Sequence, residues 1–155
     1  MTGRRRRPPA PMQEPNPPVV YRHPVRVYWE DTDAGGIVFY ANYLKFFERA
    51  RTEWLRALGF SQQRLQAEQD VIFVVVETAL RHLRPARLDD LLEATVAVAE
   101  AARASLRLRQ QVWRGHELLA EGTVRLGCVH AGDGGGATFK PGRIPAAILE
   151  KIQTR

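Results

Sequence analysis

Asn42-Tyr-Leu-Lys-Phe-Phe-Glu-Arg-Ala-Arg-Thr-Glu-Trp-Leu-Arg-Ala-Leu58 carries a single helical stripe. Tyr43, Phe47, Ala50, Trp54 and Leu58 follow at steps of four, three, four and four, which sets them along one side of an α-helical rod. Asn42 reads as the N-cap and Gly59 as the stop. Arg49 and Glu53 stand four apart and read as an ion pair on the wet face. Ser61 reads as the cap of a short second helix that runs to Gln69.

On either side of this rod the period changes to that of strands. Pro24 to Glu30 reads as a first strand with Val25, Val27 and Trp29 on one face. Val71 to Leu83 reads as a long strand ended by Pro85, and Asp89-Asp90 as a turn into a strand from Leu92 to Glu100. Ser105 to Trp113 alternates, with Leu106, Leu108, Gln110 and Val112 facing one way. Arg114-Gly-His116 reads as a hairpin turn. The strand from Leu118 to Val129 puts Ala120, Gly122, Val124, Leu126 and Cys128 on one face. A glycine loop over 132–136 and a terminal helix from Pro145 to Ile152 complete the chain.

One long helix among strands joined by tight connections predicts an α+β fold, an antiparallel sheet of about five strands wrapped around one central helix. Such a sheet leaves edge strands open, and a dimer that continues the sheet across two chains covers part of them.

The chain has 155 residues, enough for one core, and no apolar run long enough to span a membrane. Its net charge of +6 sits largely in residues 1–24, which hold five arginines and one glutamate, so the rest is close to balanced. Residues 1–22 are rich in Pro and Arg and read as a disordered tail, with the domain over 23–155. No apolar segment follows the basic start, so no secretory signal is read there. The charge distribution argues against nucleic-acid binding. The single cysteine, Cys128, lies on an apolar strand face and forms no intrachain disulfide. A cytoplasmic location fits these features. His23, His82, His116 and His130 are scattered and read as structural or exposed. No compact His/Asp/Glu cluster suggests a metal, and no cofactor motif is present.

The segment Asp31-Thr-Asp-Ala-Gly-Gly36 is where chemistry concentrates. Asp31 and Asp33 are suited to a turn held by side-chain to backbone bonds, and equally to acid–base or nucleophilic work. Gly35 and Gly36 leave the backbone open to a ligand. The loop leads into a helix start, whose free N–H groups and dipole favour an oxyanion. Glu48 and Glu53 are further carboxylates on the rod and read as ion-paired surface, while Tyr28 and Tyr43 read as core or site lining.

Tyr28-Trp-Glu-Asp-Thr-Asp-Ala-Gly-Gly-Ile-Val-Phe-Tyr-Ala-Asn-Tyr43 resembles the signature of the 4-hydroxybenzoyl-CoA thioesterase family of hotdog proteins. Phe47-Glu-Arg-Ala-Arg-Thr-Glu53, Phe60-Ser-Gln-Gln63 and Pro85-Ala-Arg-Leu-Asp-Asp90 are similar to its branch associated with the Tol-Pal system. The resemblance implies a hotdog fold and an acyl-CoA thioesterase that yields a free acid and CoA. It assigns the essential carboxylate to Asp33, as nucleophile or general base, and leaves Asp31 as a loop stabiliser. It assigns polarisation of the carbonyl to the backbone N–H groups of Tyr40 and Ala41, while Tyr28, Gly36 and Tyr43 are expected from the residues themselves to line the site. CoA is a polyphosphate, and Arg103, in the Glu-Ala-Ala-Arg-Ala-Ser turn, is its expected phosphate contact. The active site would lie between two chains of a homodimer, with dimers pairing into a homotetramer. A non-hydrolytic scaffold for acyl-CoA or acyl carrier protein is the alternative. Relatives in the Tol-Pal branch often carry His at the position of Tyr40, so an imidazole role there is not expected in this chain.

Overall fold

The computed structural model describes residues 15–130, 132 and 140–153. The strand β1 spans Val19–Arg26, followed by the long helix α1 (Asn42–Ala57) and the short α2 (Gln62–Gln69). Four strands come next: β2 (Ile72–His82), β3 (Leu91–Ala101), β4 (Ser105–Arg114) and β5 (Glu117–His130). A two-residue β6 (Lys140–Pro141) and the helix α3 (Ala146–Gln153) close the described chain. The sheet order is β1-β3-β4-β5-β2, all pairs antiparallel, with β6 on the end of β5. This sheet around α1 is the hotdog fold that the residue pattern and the resemblance predict.

The helix obeys its stripe. Tyr43, Phe47, Ala50 and Trp54 are buried, and Phe46, Arg51 and Leu55 widen the buried face. Its end is a Schellman motif: Gly59 donates to the Arg56 carbonyl at 2.9 Å, Phe60 donates to the Leu55 carbonyl at 2.9 Å, and Gly59 has φ +95°. Lys151 of α3 donates to the Leu58 carbonyl at 2.6 Å, which satisfies another group at the same end. Ser61 caps α2 as its sequence predicts, accepting from the Arg64 amide at 3.4 Å.

Leu106, Leu108, Gln110 and Val112 all face the helix and are buried. Gln110 is fully buried, and its amide joins three elements. Its Nε2 donates to the carbonyls of Phe47 and Thr95 at 3.1 Å each, and its Oε1 accepts from Arg51 Nη1 at 2.8 Å. A guanidinium thus sits in the helix–sheet interface, and burial pushes its pKa down from the usual arginine value. Cys128 is a buried free thiol whose pKa is raised by the same effect.

Four expectations need correction. The first strand begins at Val19, inside the segment read as tail, because Val19 to Arg26 pairs with β3. It stands at the sheet edge, which accommodates Pro24. It also ends at Arg26: Trp29–Asp31 is a turn of 3₁₀ helix, drawn in by the Asp31 carboxylate, which accepts from the Tyr28 amide at 2.8 Å. Asn42 is the first helical residue and not the cap, since its side chain turns inward to Asp31. Finally, Glu53 pairs with Arg56 at 2.5 Å, while Arg49 lies over the Phe46 ring at 5.9 Å. The expected disorder over 1–14 and the glycine loop beyond Gly132 lie outside the described residues.

Gln110→Leu keeps the side-chain volume but strands Arg51 and two carbonyls in the interface. Urea denaturation should show a loss of about 3 kcal/mol.

Candidate functional site

The connection from β1 to α1 is a compact hairpin-like loop. Thr32 and Val38 form a bridge, Asp33 N–H donates to the Ile37 carbonyl at 2.9 Å, and Phe39 N–H donates to the Asp31 carbonyl at 2.9 Å. At its base the Asp31 carboxylate, only 3% exposed, accepts from the Tyr28 amide and from Asn42 Nδ2, the latter at 2.6 Å. A buried carboxylate is tolerable only when hydrogen-bonded, and both of its oxygens are used here. Asp31 is therefore the loop stabiliser that the sequence suggests.

Asp33 stands at the exposed tip. Its Oδ1 accepts from the Gly35 amide at 2.8 Å and, at 3.5 Å, from that of Ile37, while Oδ2 makes no hydrogen bond among the described residues. Both glycines suit this shape. A Cβ on Gly35 would stand 3.1 Å from Asp33 Oδ1, and Gly36 has φ +78° with open space beside it. The Gly36 amide is already spent on the Asp33 carbonyl at 3.0 Å.

The helix start faces the same surface. Ala41, which flanks α1, offers no capping oxygen, and Asn42 is committed to Asp31. The N–H groups of Tyr40 and Ala41, which precede the first helical turn, carry no hydrogen bond among the described residues. An exposed carboxylate oxygen and two free helix-start amides are what attack on a carbonyl and stabilisation of its oxyanion require.

The other expected residues are distributed unevenly. Tyr43 is core: it is 3% exposed, its hydroxyl accepts from the Ala86 amide at 3.2 Å, and burial raises its pKa. Tyr28 is 61% exposed, so it lies on the surface beside the loop and outside the core. Arg103 is exposed in the β3–β4 turn, at the end of β3 away from Asp90 and the Asp33 loop. Along the strand that is about 30 Å, so one chain does not bring Arg103 to Asp33.

Two features were not read from the sequence. Glu48 has no ion pair within 4.0 Å among the described residues, contrary to its reading as paired surface. With Arg51, Trp54, Leu55 and Phe73 it lines a cavity of about 100 Å³ between α1 and the sheet. The second is an imidazole beside Tyr40. His82, at the end of β2, sets its ring 6.4 Å from that of Tyr40 and 5.3 Å from that of Tyr43. Only the register of β2 against α1 could reveal this, since the two stretches are far apart in sequence.

An antiparallel sheet in this order, wound about one long helix with a carboxylate loop at the helix start, defines a hotdog-fold protein. A family model described as the thioesterase superfamily matches residues 35–121, and the chain belongs to that family. It is 48% identical over 112 residues to the acyl-CoA thioesterase YbgC of Haemophilus influenzae, covering 72% of this chain and 82% of that protein. It is 42% identical over 135 residues to the acyl-CoA thioester hydrolase YbgC of Escherichia coli, covering 86% and 96%. Among solved structures, a probable thioesterase from Bartonella henselae superposes with a TM-score of 0.74 at 32% identity, covering 81% of this chain and 98% of that one.

Asn42→Ala removes one partner of the buried Asp31 carboxylate. Thermal or urea unfolding should register about 2 kcal/mol of lost stability, and Asn42→Asp, which sets two carboxylates face to face, should cost more.

Proposed function

We propose that this chain hydrolyses acyl-CoA thioesters to a free carboxylic acid and CoA. The observation that carries the reading is the conjunction of an exposed Asp33 carboxylate, with Oδ2 unengaged, and the unpaired amides of Tyr40 and Ala41 in one short loop and helix start. Asp33 acts as nucleophile or general base. The two amides take the developing oxyanion, and one preorganised donor of this kind is worth roughly 3 kcal/mol. The relatives named as acyl-CoA thioesterases and thioester hydrolases support the reaction class. An acyl carrier protein presents its acyl group as a thioester too and is a second candidate carrier.

The working unit in this proposal is a homodimer. The strand β2 is the sheet edge and leaves Val75 at 51% and Val76 at 58% exposure, a long apolar edge that a monomer would leave open to association. Antiparallel two-fold pairing of β2 with a second copy sets the far end of the partner's sheet, including its β3–β4 turn, level with the Asp33 end of the first. Arg103 thereby becomes a candidate phosphate contact supplied across the interface. The proposal extends to pairing of two such dimers and to a cytoplasmic location, in keeping with a buried, reduced Cys128.

Asp33→Asn should keep the melting temperature within a degree or two and lower kcat by at least about 100-fold. Release of free thiol from a panel of acyl-CoAs measures it, and undiminished turnover in this variant removes Asp33 from the chemistry. Val76→Asp should shift the light-scattering mass in solution to that of a monomer, with loss of turnover.

A further inference from the structure

Four histidines are present, and three are placed away from the reacting groups or already engaged. His23 lies on β1 at the opposite edge of the sheet, and His116 occupies the β4–β5 hairpin turn. His130 uses Nδ1 on the Asp70 carbonyl at 2.9 Å. His82 differs from them. It ends β2 where that strand meets the start of α1, and its ring stands edge-on to two tyrosines, at 66° to Tyr43 and 82° to Tyr40. Tyr43 is itself fixed by burial and by its bond from Ala86, so it gives the imidazole a rigid backing. His82 is exposed, and neither ring nitrogen makes a hydrogen bond among the described residues. Among the described residues the ring is therefore oriented by its contacts with the two tyrosines, and one of them, Tyr40, also carries a free amide.

We propose that His82 is a catalytic residue, the base that takes the proton of the hydrolytic water when Asp33 serves as the nucleophile of the reading above. The proposal rests on the thioester-hydrolase reading above. The gripping of Asp33 Oδ1 by the loop amides aims Oδ2 outward, which suits direct attack. A bond forms from Oδ2 to the acyl carbon, the C–S bond breaks, and its electron pair leaves on sulfur. A thiol of pKa about 8.5 departs readily as thiolate and draws its proton from solvent. The acyl group is then held as a mixed anhydride on Asp33, whose carboxylate is consumed and cannot serve as base. Water completes the turnover. One O–H proton passes to a ring nitrogen of His82 as the water oxygen bonds to the acyl carbon. The C–O bond to Asp33 breaks, which restores the carboxylate and frees the acid, and the imidazolium returns its proton to solvent.

The test uses the full chain, an acyl-CoA that it turns over, and rapid-quench measurement of CoA release. His82→Phe keeps a ring against Tyr43 and removes both nitrogens. It should show a burst of about one CoA per active site followed by turnover about 100-fold slower than the parent, with an unchanged melting temperature. His82→Ala should lose steady-state turnover similarly and regain part of it when free imidazole is added. A His82→Phe steady-state rate within threefold of the parent overturns the proposal, and so does a slow rate without a burst. If His82→Phe fails to fold, His82→Ala decides, and absence of imidazole rescue overturns it. A parent chain that releases no CoA from any acyl-CoA overturns the hydrolase reading itself; a fully active parent with an indifferent His82→Phe overturns only the role of His82.

Discussion

The hydrogen bond from Asn42 to the buried Asp31 carboxylate, at 2.6 Å, is the constraint from which the geometry of the loop follows. It ties the end of the first-strand connection to the first residue of α1. With the Tyr28 amide on the other oxygen, the carboxylate is satisfied without a cation, and residues 28–42 close into one unit. Two consequences follow. The intervening Asp33–Gly36 tip is pushed out to solvent. The helix also loses the side chain best suited to cap it, because an Asn turned inward cannot bond to the N–H groups of its own first turn. The amides of Tyr40 and Ala41, just ahead of that turn, are open as well among the described residues.

That unit is useful only if α1 is held firmly against the sheet, and most of the holding is apolar. Phe46, Phe47 and Ala50 are essentially without exposure, as are Leu108 and Val112 opposite them. Gln110 adds direction to this packing. Its three hydrogen bonds join α1, β3 and the Arg51 guanidinium. Apolar packing tolerates sliding of a helix along its groove, whereas a buried amide with three partners has one good position. The axial position of α1 sets the position of its N-terminal amides, so the Gln110 contacts act at a distance on the helix start.

Much of the fold was legible in the sequence because periodicity reports burial. The four-three-four-four stripe located α1, and alternation over Ser105 to Trp113 gave the buried face of β4 correctly. The failures occurred where a tertiary contact overrode a local preference. Asn42 has the chemistry of a cap, yet a buried carboxylate outcompeted the helix amides for it. Val25, Val27 and Trp29 alternate like a strand, yet Asp31 pulled Tyr28 and Trp29 into a turn. The identity of the loop carboxylates was readable only through family resemblance, since any Asp-x-Asp turn serves equally well as structure. His82 was illegible for another reason: only the fold brings its ring beside Tyr40 and Tyr43, which no local pattern encodes.

Asp31 and Asp33 are the same residue type, two positions apart, and the fold gives them opposite surroundings. Asp31 is enclosed, and each of its oxygens has a short, charge-assisted donor. Both oxygens are engaged, and moving it would leave an unpaired charge inside the protein, so it serves structure. Asp33 has one oxygen held by the loop and the other free. That division orients the group while leaving one oxygen open, and an exposed position allows it to change partners without a burial penalty. Gly35 and Gly36 make the difference possible, since a side chain at either would crowd the oxygen or strain the turn. In this loop, then, which oxygens are committed and which stay open is decided by the N–H groups each carboxylate meets and not by the carboxylate itself.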